Sequence, residues 1–540
     1  MFDEGGIRVR FSKWLCAVGI AFICVVYGAG TALAQDNKVL RIPYLEDPKT
    51  ADCQTQTISY LLPLNCFDRL VECITVGPGE SKIVPGLAER WEISDDGRVY
   101  TFYLRKGVFF HHGTELTADD VVYTFDRMLD PNTRALNTDI LDWVEGARER
   151  MDGKAIYTKG LEALDRYTVQ ITLRGPYAPF LAVMASPQAS IYNREFTIKS
   201  GNRFGLTPET TSGTGPFVMK EYVLNDHLLL VANEDYYRGR PQVDEILVRI
   251  TPDPETLRML FEAGEIDIFD CDYAVSQIPY FTNHPKWKDY VASSPRVGIY
   301  YYSINQRIKP FDDVRVRKAL QMAIDRKLIL DELFYGKGHL ENGIMPRGLI
   351  CHNPDLPAIE YDPEKAKALL AQAGYPDGVE MEIAQVSGAR QWLRINEVAQ
   401  AMLREAGFKA RIRQMDEAAF YATRSTGDLP SYVQVWSADF NDPDNFFYTF
   451  FAPRNTVARS FNYESQEVFD ALEKGRSLSD QGERCELYRK LEQVIVQRDA
   501  AWVPLFSLEH VYVLQPRVKN FVAPWNGWSD MSYYGIRLED

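Results

Sequence analysis

Beyond residue 34 the sequence has no apolar run of the roughly 18–20 residues that a helical membrane span needs. It has no short repeat and no low-complexity linker, so nothing in it reads as a repeat array or a stalk. Positive charge is in deficit. The 60 Lys and Arg face 75 Asp and Glu, a formal net charge of −15, which argues against a nucleic-acid footprint because that needs a basic face. No G-x-x-x-x-G-K-[ST] is present, so the chain does not hold ATP in a P-loop and any energy source is a partner. Neither G-x-S-x-G nor H-E-x-x-H occurs, which weakens hydrolase readings.

What is there begins with a leader. Arg8, Arg10 and Lys13 precede the apolar stretch 15–30, and Ala32-Leu33-Ala34 supplies the small residues of a cleavage site, so the expected mature chain starts at Gln35 and is exported. A membrane anchor is the alternative, but the run is short for a span. No Cys follows the site, which argues against lipid attachment there. Of the eight cysteines, Cys16 and Cys24 leave with the leader. Cys53, Cys66, Cys73, Cys271, Cys351 and Cys485 remain, an even set in a compartment that permits disulfides. Six cysteines allow 15 complete pairings, so connectivity stays open, with Cys53 and Cys66 close enough in sequence for a local bridge and half or more expected as buried thiols.

At 540 residues, 46% apolar and 25% charged, the chain has the composition of a globular protein of two or three domains. Strand and helix signals interleave. Trp91–Leu104 reads as a hairpin about Asp95-Asp96-Gly97. Thr117 with Asp120, Asp253 with Pro254 and Gly264, and Asp362 with Pro363 and Gly374 read as helix caps, starts and stops. The pattern is α/β.

The stretch VWSADFNDPDNFFYTFF, Val435 to Phe451, sets Asp439, Asp442 and Asp444 among aromatics. A calcium loop counted from Asp439 fails, because its fifth, sixth and twelfth positions are Pro443, Asp444 and Phe450. A carboxylate pair for glycoside hydrolysis has no supporting motif. Asp442 and Asp444 are expected in a solvated turn, since Asp and Pro are turn formers. Asp439 closes the apolar run Tyr432–Trp436, where a strand end presents side chains to a crevice.

LAERWEISDDGRVYTFYLRKGVFFHHGTELTADDVVYTF, GTGPFVMKEY, INQRIKPFDDVRVRKALQMAID, YDPEKAKALLAQAGYPDG and WSADFNDPDNFF, in that order, resemble the extracytoplasmic solute-binding proteins of ABC importers, the oligopeptide and dipeptide family. The resemblance runs from about Val39 to the C-terminus. It implies a periplasmic receptor with a two-lobed, class II-like α/β binding-protein fold and an extra α/β subdomain in lobe one. Lobe one would take 35–75, 200–296 and 510–540, the subdomain 76–199, and lobe two 297–509, with crossings near Val297–Ile304 and Phe506–Val511. The apolar VGIYYYSIN suits a buried crossing, and equally an ordinary core strand.

The resemblance also implies no catalysis, no cofactor, no resident metal and a monomer. Its partners would be a short peptide and the permease and ATPase subunits of an importer. Relatives that carry nickel chelates, haem, oligosaccharides or opines keep a non-peptide ligand open, and an exported hydrolase is the reading of another class. In such peptide binders the Asp of W-x-x-D, here Asp439, holds the peptide ammonium beside Trp436. The backbone of Val435, Trp436, Ser437 and Ala438 would pair with an extended peptide, and Val435 stands where relatives often have Gly. A carboxylate-binding Arg falls close to Arg394, with Arg390 four residues before it on the same helical face; a solvent-facing role for both is the alternative. The family's FHDG turn is FHHG here. Without a third ligand at a recognisable spacing, His111-His112 and Cys351-His352 are expected as surface turns and not metal sites.

Overall fold

Local signals hold where they are strongest. In the computed structural model, which describes residues 37–539 and leaves the expected leader and its cleavage site outside the described residues, Thr117 and Asp120 form a reciprocal capping box on the helix Ala118–Leu129. Asp253 and Asp362 each accept a backbone N–H to start the helices Pro254–Glu262 and Pro363–Gln372. Gly264 and Gly374 follow those helices at φ +74° and +96°, a left-handed conformation that costs glycine little. The expected hairpin is the antiparallel pair Ala88–Ile93 and Val99–Leu104.

The strands assemble into separate sheets that pack on buried apolar clusters, and the α/β reading is borne out. The first sheet runs Val39–Tyr44, Glu245–Ile250, His227–Ala232, Phe217–Val223, its first pair parallel and the others antiparallel. The hairpin extends through Thr168–Thr172 to Leu161–Asp165 and packs on the helix Ala118–Leu129 around Phe102, Phe125 and Val169. A βαβ unit pairs Val379–Val386 in parallel with Phe408–Met415 through the helix Arg390–Glu405.

Two further sheets meet where the chain passes between them. Val291–Pro295 and Ile268–Asp270 flank the long strand Phe506–Leu514. Only Arg296 and Val297 separate Pro295 from the strand Gly298–Ile304, which pairs instead with Ser431–Ser437 and Val503–Pro504. Phe506–Leu514 makes the return passage: its first three residues pair with Gly338–Leu340 and the rest with the other sheet. Every residue of Gly298–Ile304 is buried. At the passage Arg296 donates to the Gly527 carbonyl at 2.7 Å and pairs with Asp272 at 3.0 Å.

The cysteines correct the local expectation. Cys53 and Cys66 are both free and buried: Cys53 Sγ lies 3.0 Å from the Tyr192 hydroxyl, and Cys66 ends the buried helix Leu61–Cys66. The bridge joins Cys351 to Cys485 across 134 residues, so Cys351 is buried and not part of a free surface turn. Burial pushes the Cys53 thiol up to about 11. His112 lies exposed in its turn, whereas His111 is half-buried under the GTGPF segment, with its N–H donating to the Gly213 carbonyl at 2.8 Å. Burial drives the His111 imidazole down to about 4. The two glycines of that segment are needed there: a side chain on Gly213 or Gly215 would run into the backbone of Cys66.

Candidate functional site

The strand Ser431–Ser437 is built from Tyr432, Val433 and Val435, residues that favour a pleated and half-buried surface. It pairs antiparallel with Gly298–Ile304, Ser437 opposite Gly298 and Val435 opposite Tyr300, and it is the end strand of its sheet. Ala438 continues the pairing with an N–H to the Val297 carbonyl at 2.9 Å. Asp439 follows, half-buried, at the wall of a cavity of about 770 Å³.

The cavity is lined by Thr57, Tyr60, Asp139 and Gln188 together with Trp436, Asp439, Arg424 and Arg459. Asn445 sets the geometry of the acidic group. Its Oδ1 accepts the Asp439 N–H at 3.0 Å, its Nδ2 donates to the carboxylate at 3.2 Å, and its main-chain carbonyl accepts the Trp436 indole N–H at 3.0 Å. No Lys or Arg among the described residues forms an ion pair with Asp439. Burial pushes its carboxyl up to about 6; the Asn445 hydrogen bond opposes the rise, the charge of Asp139 in the same lining adds to it, and Arg459 lowers it. The site is a recessed acidic group beside an indole, with no ion-pair partner among the described residues.

Asp442 and Asp444 overturn the solvated-turn reading. Both are 3% exposed. Asp442 takes both Nη atoms of Arg484, at 2.8 Å each. It also accepts the Asp444 N–H at 2.9 Å, just before the helix Asp444–Phe451. Asp444 pairs with Arg476 at 3.0 Å, and that guanidinium lies 3.4 Å from the Tyr448 ring centre. These two aspartates anchor the loop that carries Asp439, because a buried carboxylate needs a paired cation. Asn441 ties the same loop to its neighbour, donating to the Gly348 carbonyl at 3.1 Å and accepting the Ile350 N–H at 2.9 Å.

The remaining candidates divide. Trp436 and Asp439 share the cavity. Val435 is half-buried against the core, and Ser437 donates its hydroxyl to the Gly527 carbonyl at 3.0 Å. With the N–H groups of Ala438 and Asp439 already used, the backbone left for an added strand is the outer edge of Val435–Ser437. Arg390 and Arg394 are exposed at the start of their helix and do not line this cavity. Arg424, Arg459, Tyr60 and Gln188 were not anticipated, because no motif marks them and they come together only through tertiary packing. Among the described residues no group of three or more His, Cys, Asp or Glu side chains is placed to hold a metal.

A family profile described as bacterial extracellular solute-binding proteins, family 5, matches residues 82–457. The chain is 33% identical over 494 residues to the haem-binding protein A of Haemophilus influenzae, covering 88% of this chain and 87% of that one. It is 31% identical over 486 residues to the dipeptide-binding protein of Escherichia coli, covering 85% and 86%. Among solved structures it resembles the ABC transporter-associated periplasmic binding protein DppA of Helicobacter pylori in complex with the peptide STSA, with a TM-score of 0.75, 28% identity, and 93% and 98% of the two chains covered. HbpA2 of Haemophilus parasuis gives a TM-score of 0.79 at 29% identity, with 93% and 100% covered.

Proposed function

The chain belongs to the bacterial extracellular solute-binding proteins of family 5, and on that premise we propose that it captures a short peptide with a free amino terminus and hands it to the permease and ATPase subunits of an ABC importer. Asp439 carries this reading. A recessed carboxylate without a cation, its orientation fixed by Asn445 and its flank by Trp436, suits a ligand ammonium through a charge-assisted hydrogen bond. The free edge of Val435–Ser437 adds main-chain pairing that does not read side chains.

The lobes are taken as 35–75 with 200–296 and 510–540, and 297–509, with 76–199 as the subdomain. The cavity walls then belong to opposite sides of the passage at Arg296–Val297, so a ligand that touches Tyr60 and Asp439 together stabilises the closed form, which the permease reads. The exported location rests on the leader-like sequence of residues 1–34 and on the family. A carboxylate-pair hydrolase finds less here, since Asp442 and Asp444 are consumed by Arg484 and Arg476.

Haem is the second reading, on the name of one relative. The cavity lining holds no histidine or cysteine for an iron, though Tyr60, Tyr177 and Tyr448 are there. Mass spectrometry of ligand released on denaturing the purified protein tests both. A short peptide with a free amine is expected; a porphyrin, or a ligand without an amine, would refute the peptide reading.

A further inference from the structure

Two carboxyls outside the ligand cavity are buried with no ion-pair partner among the described residues. Glu492 ends the helix Gln481–Glu492, is 0% exposed, and is followed at once by a π turn, Gln493–Arg498, a widening that proteins keep mostly at functional sites. Glu341, 3% exposed, follows the short strand Gly338–Leu340, which pairs with the passage strand Phe506–Leu514. Arg347 and His339 act on Glu341 from a distance, and Arg489 on Glu492. These cations do not neutralise the pair: His339 lies 3.2 Å from Glu509, and Arg489 donates to the Cys351 and His352 carbonyls at 3.1 Å each. The Arg326 guanidinium turns to the Glu341 main-chain carbonyl and not to its carboxyl.

Between them the two carboxyls hold one loop. Glu492 Oε1 accepts the Ile344 and Met345 N–H groups at 2.5 and 2.8 Å. Glu341 Oε1 accepts the Ser507 hydroxyl of the passage strand at 2.5 Å and the Arg347 N–H at 3.3 Å. A side chain on Gly343 would lie 2.0 Å from Glu492 Oε1, so the loop is shaped around that carboxyl. Glu492 Oε2 is buried with no partner. An ionised carboxylate is strongly disfavoured in such a place, whereas a protonated one carries no net charge. Burial pushes Glu341 up to about 7 and Glu492 up to about 8, and the charge of Glu341 adds to the rise at Glu492. The loop continues to Gly348 and Ile350, which Asn441 of the Asp439 loop grips.

We propose that Glu341 and Glu492 are a proton-loaded clamp that makes the hold on the Asp439 loop depend on the pH around the protein. While both carboxyls keep their protons they fix the segment 341–350, and through Asn441 the loop that carries Asp439. When the surroundings turn alkaline, two buried like charges push against each other and the clamp loosens. The clamp touches no ligand, and it rests on the receptor reading above only in the role given to Asp439. Because the unfolded chain releases these protons near 4.5, the pair's contribution to stability falls as pH rises from there through 7 and 8.

Glu492→Gln keeps the shape and cannot ionise. Its melting temperature relative to the wild type should climb from pH 5 to pH 8.5; Asp439 and Asp270, whose carboxyl burial pushes up to about 8, titrate in both proteins and cancel in the comparison. Hydrogen exchange supplies a readout that a merely structural carboxyl would not move. At pH 8.5 the segments 344–350 and 436–445 should exchange at least about threefold faster in the wild type than in Glu492→Gln, and equally fast at pH 5.5. A melting-temperature difference that is the same at both ends of the range overturns the proton pair. A difference that grows while 436–445 exchanges alike in the two proteins overturns the link to the Asp439 loop. Glu341→Gln, which still offers Ser507 an acceptor, takes both measurements if Glu492→Gln does not fold, with the same outcomes deciding. Calorimetry with a free-amine dipeptide separates this from the receptor reading: a dipeptide that never binds sinks that reading, and the exchange result still decides the clamp.

Discussion

Burial keeps the Asp439 carboxyl protonated up to about pH 6, whereas the unfolded chain releases that proton near the ordinary value of 3.8. Between those values the folded chain binds more protons, so this group's contribution to stability falls as pH rises and is least favourable above 6. At about 1.4 kcal/mol per pH unit the cost is at most about 3 kcal/mol. Asp439→Asn should therefore raise the melting temperature of the ligand-free protein at pH 7.5, with the gain gone at pH 4. The same variant should lose at least about a hundredfold in calorimetric affinity for a free-amine dipeptide, because it removes one partner of a desolvated charge pair, worth on the order of 3–5 kcal/mol. An N-acetylated peptide should bind the wild type poorly and be indifferent to the change. Asp442→Asn should behave in the opposite way: it strands Arg484, which is 1% exposed, and urea denaturation should show a loss of roughly 3–5 kcal/mol. An Asp439→Asn protein that binds like the wild type, or an Asp442→Asn protein as stable as the wild type, would overturn these assignments.

At the scale of elements, the sequence was legible where the partner lies within a few residues. Thr117 finds Asp120, and Asp362 finds the Lys365 N–H, so caps and stops could be read directly. Asp442 and Asp444 read as a turn because Asp-Pro-Asp is turn chemistry, but their partners lie on later helices, Arg484 42 residues on from Asp442. Tertiary packing likewise brought Arg424 and Arg459 to the site and Cys485 to Cys351 without a local sequence signal. That disulfide closes a 134-residue separation and fastens the segment after Ile350, whose N–H holds Asn441, to the helix Gln481–Glu492. Replacing both cysteines by serine should lower stability by roughly 2–5 kcal/mol, since a long closed loop in the unfolded chain is released. Urea denaturation of oxidised wild type against the double variant measures it, and coincident midpoints would show that the bridge constrains nothing.

For the whole molecule, the family fold was legible from five ordered motifs, whereas the lobe boundaries remain a proposal that motion can test. Small-angle scattering with and without a saturating peptide should show a smaller radius of gyration with ligand, because both walls of the cavity are drawn together. An unchanged radius would count against closure. The strand Phe506–Leu514 has a further consequence. It lies between Ile268–Asp270 and Val291–Pro295, so those two strands share no sheet until a segment near the far end of the chain has joined them. A ribosome finishes the early strands long before it supplies their middle neighbour. The nascent polypeptide therefore completes this sheet only once that late segment has been made.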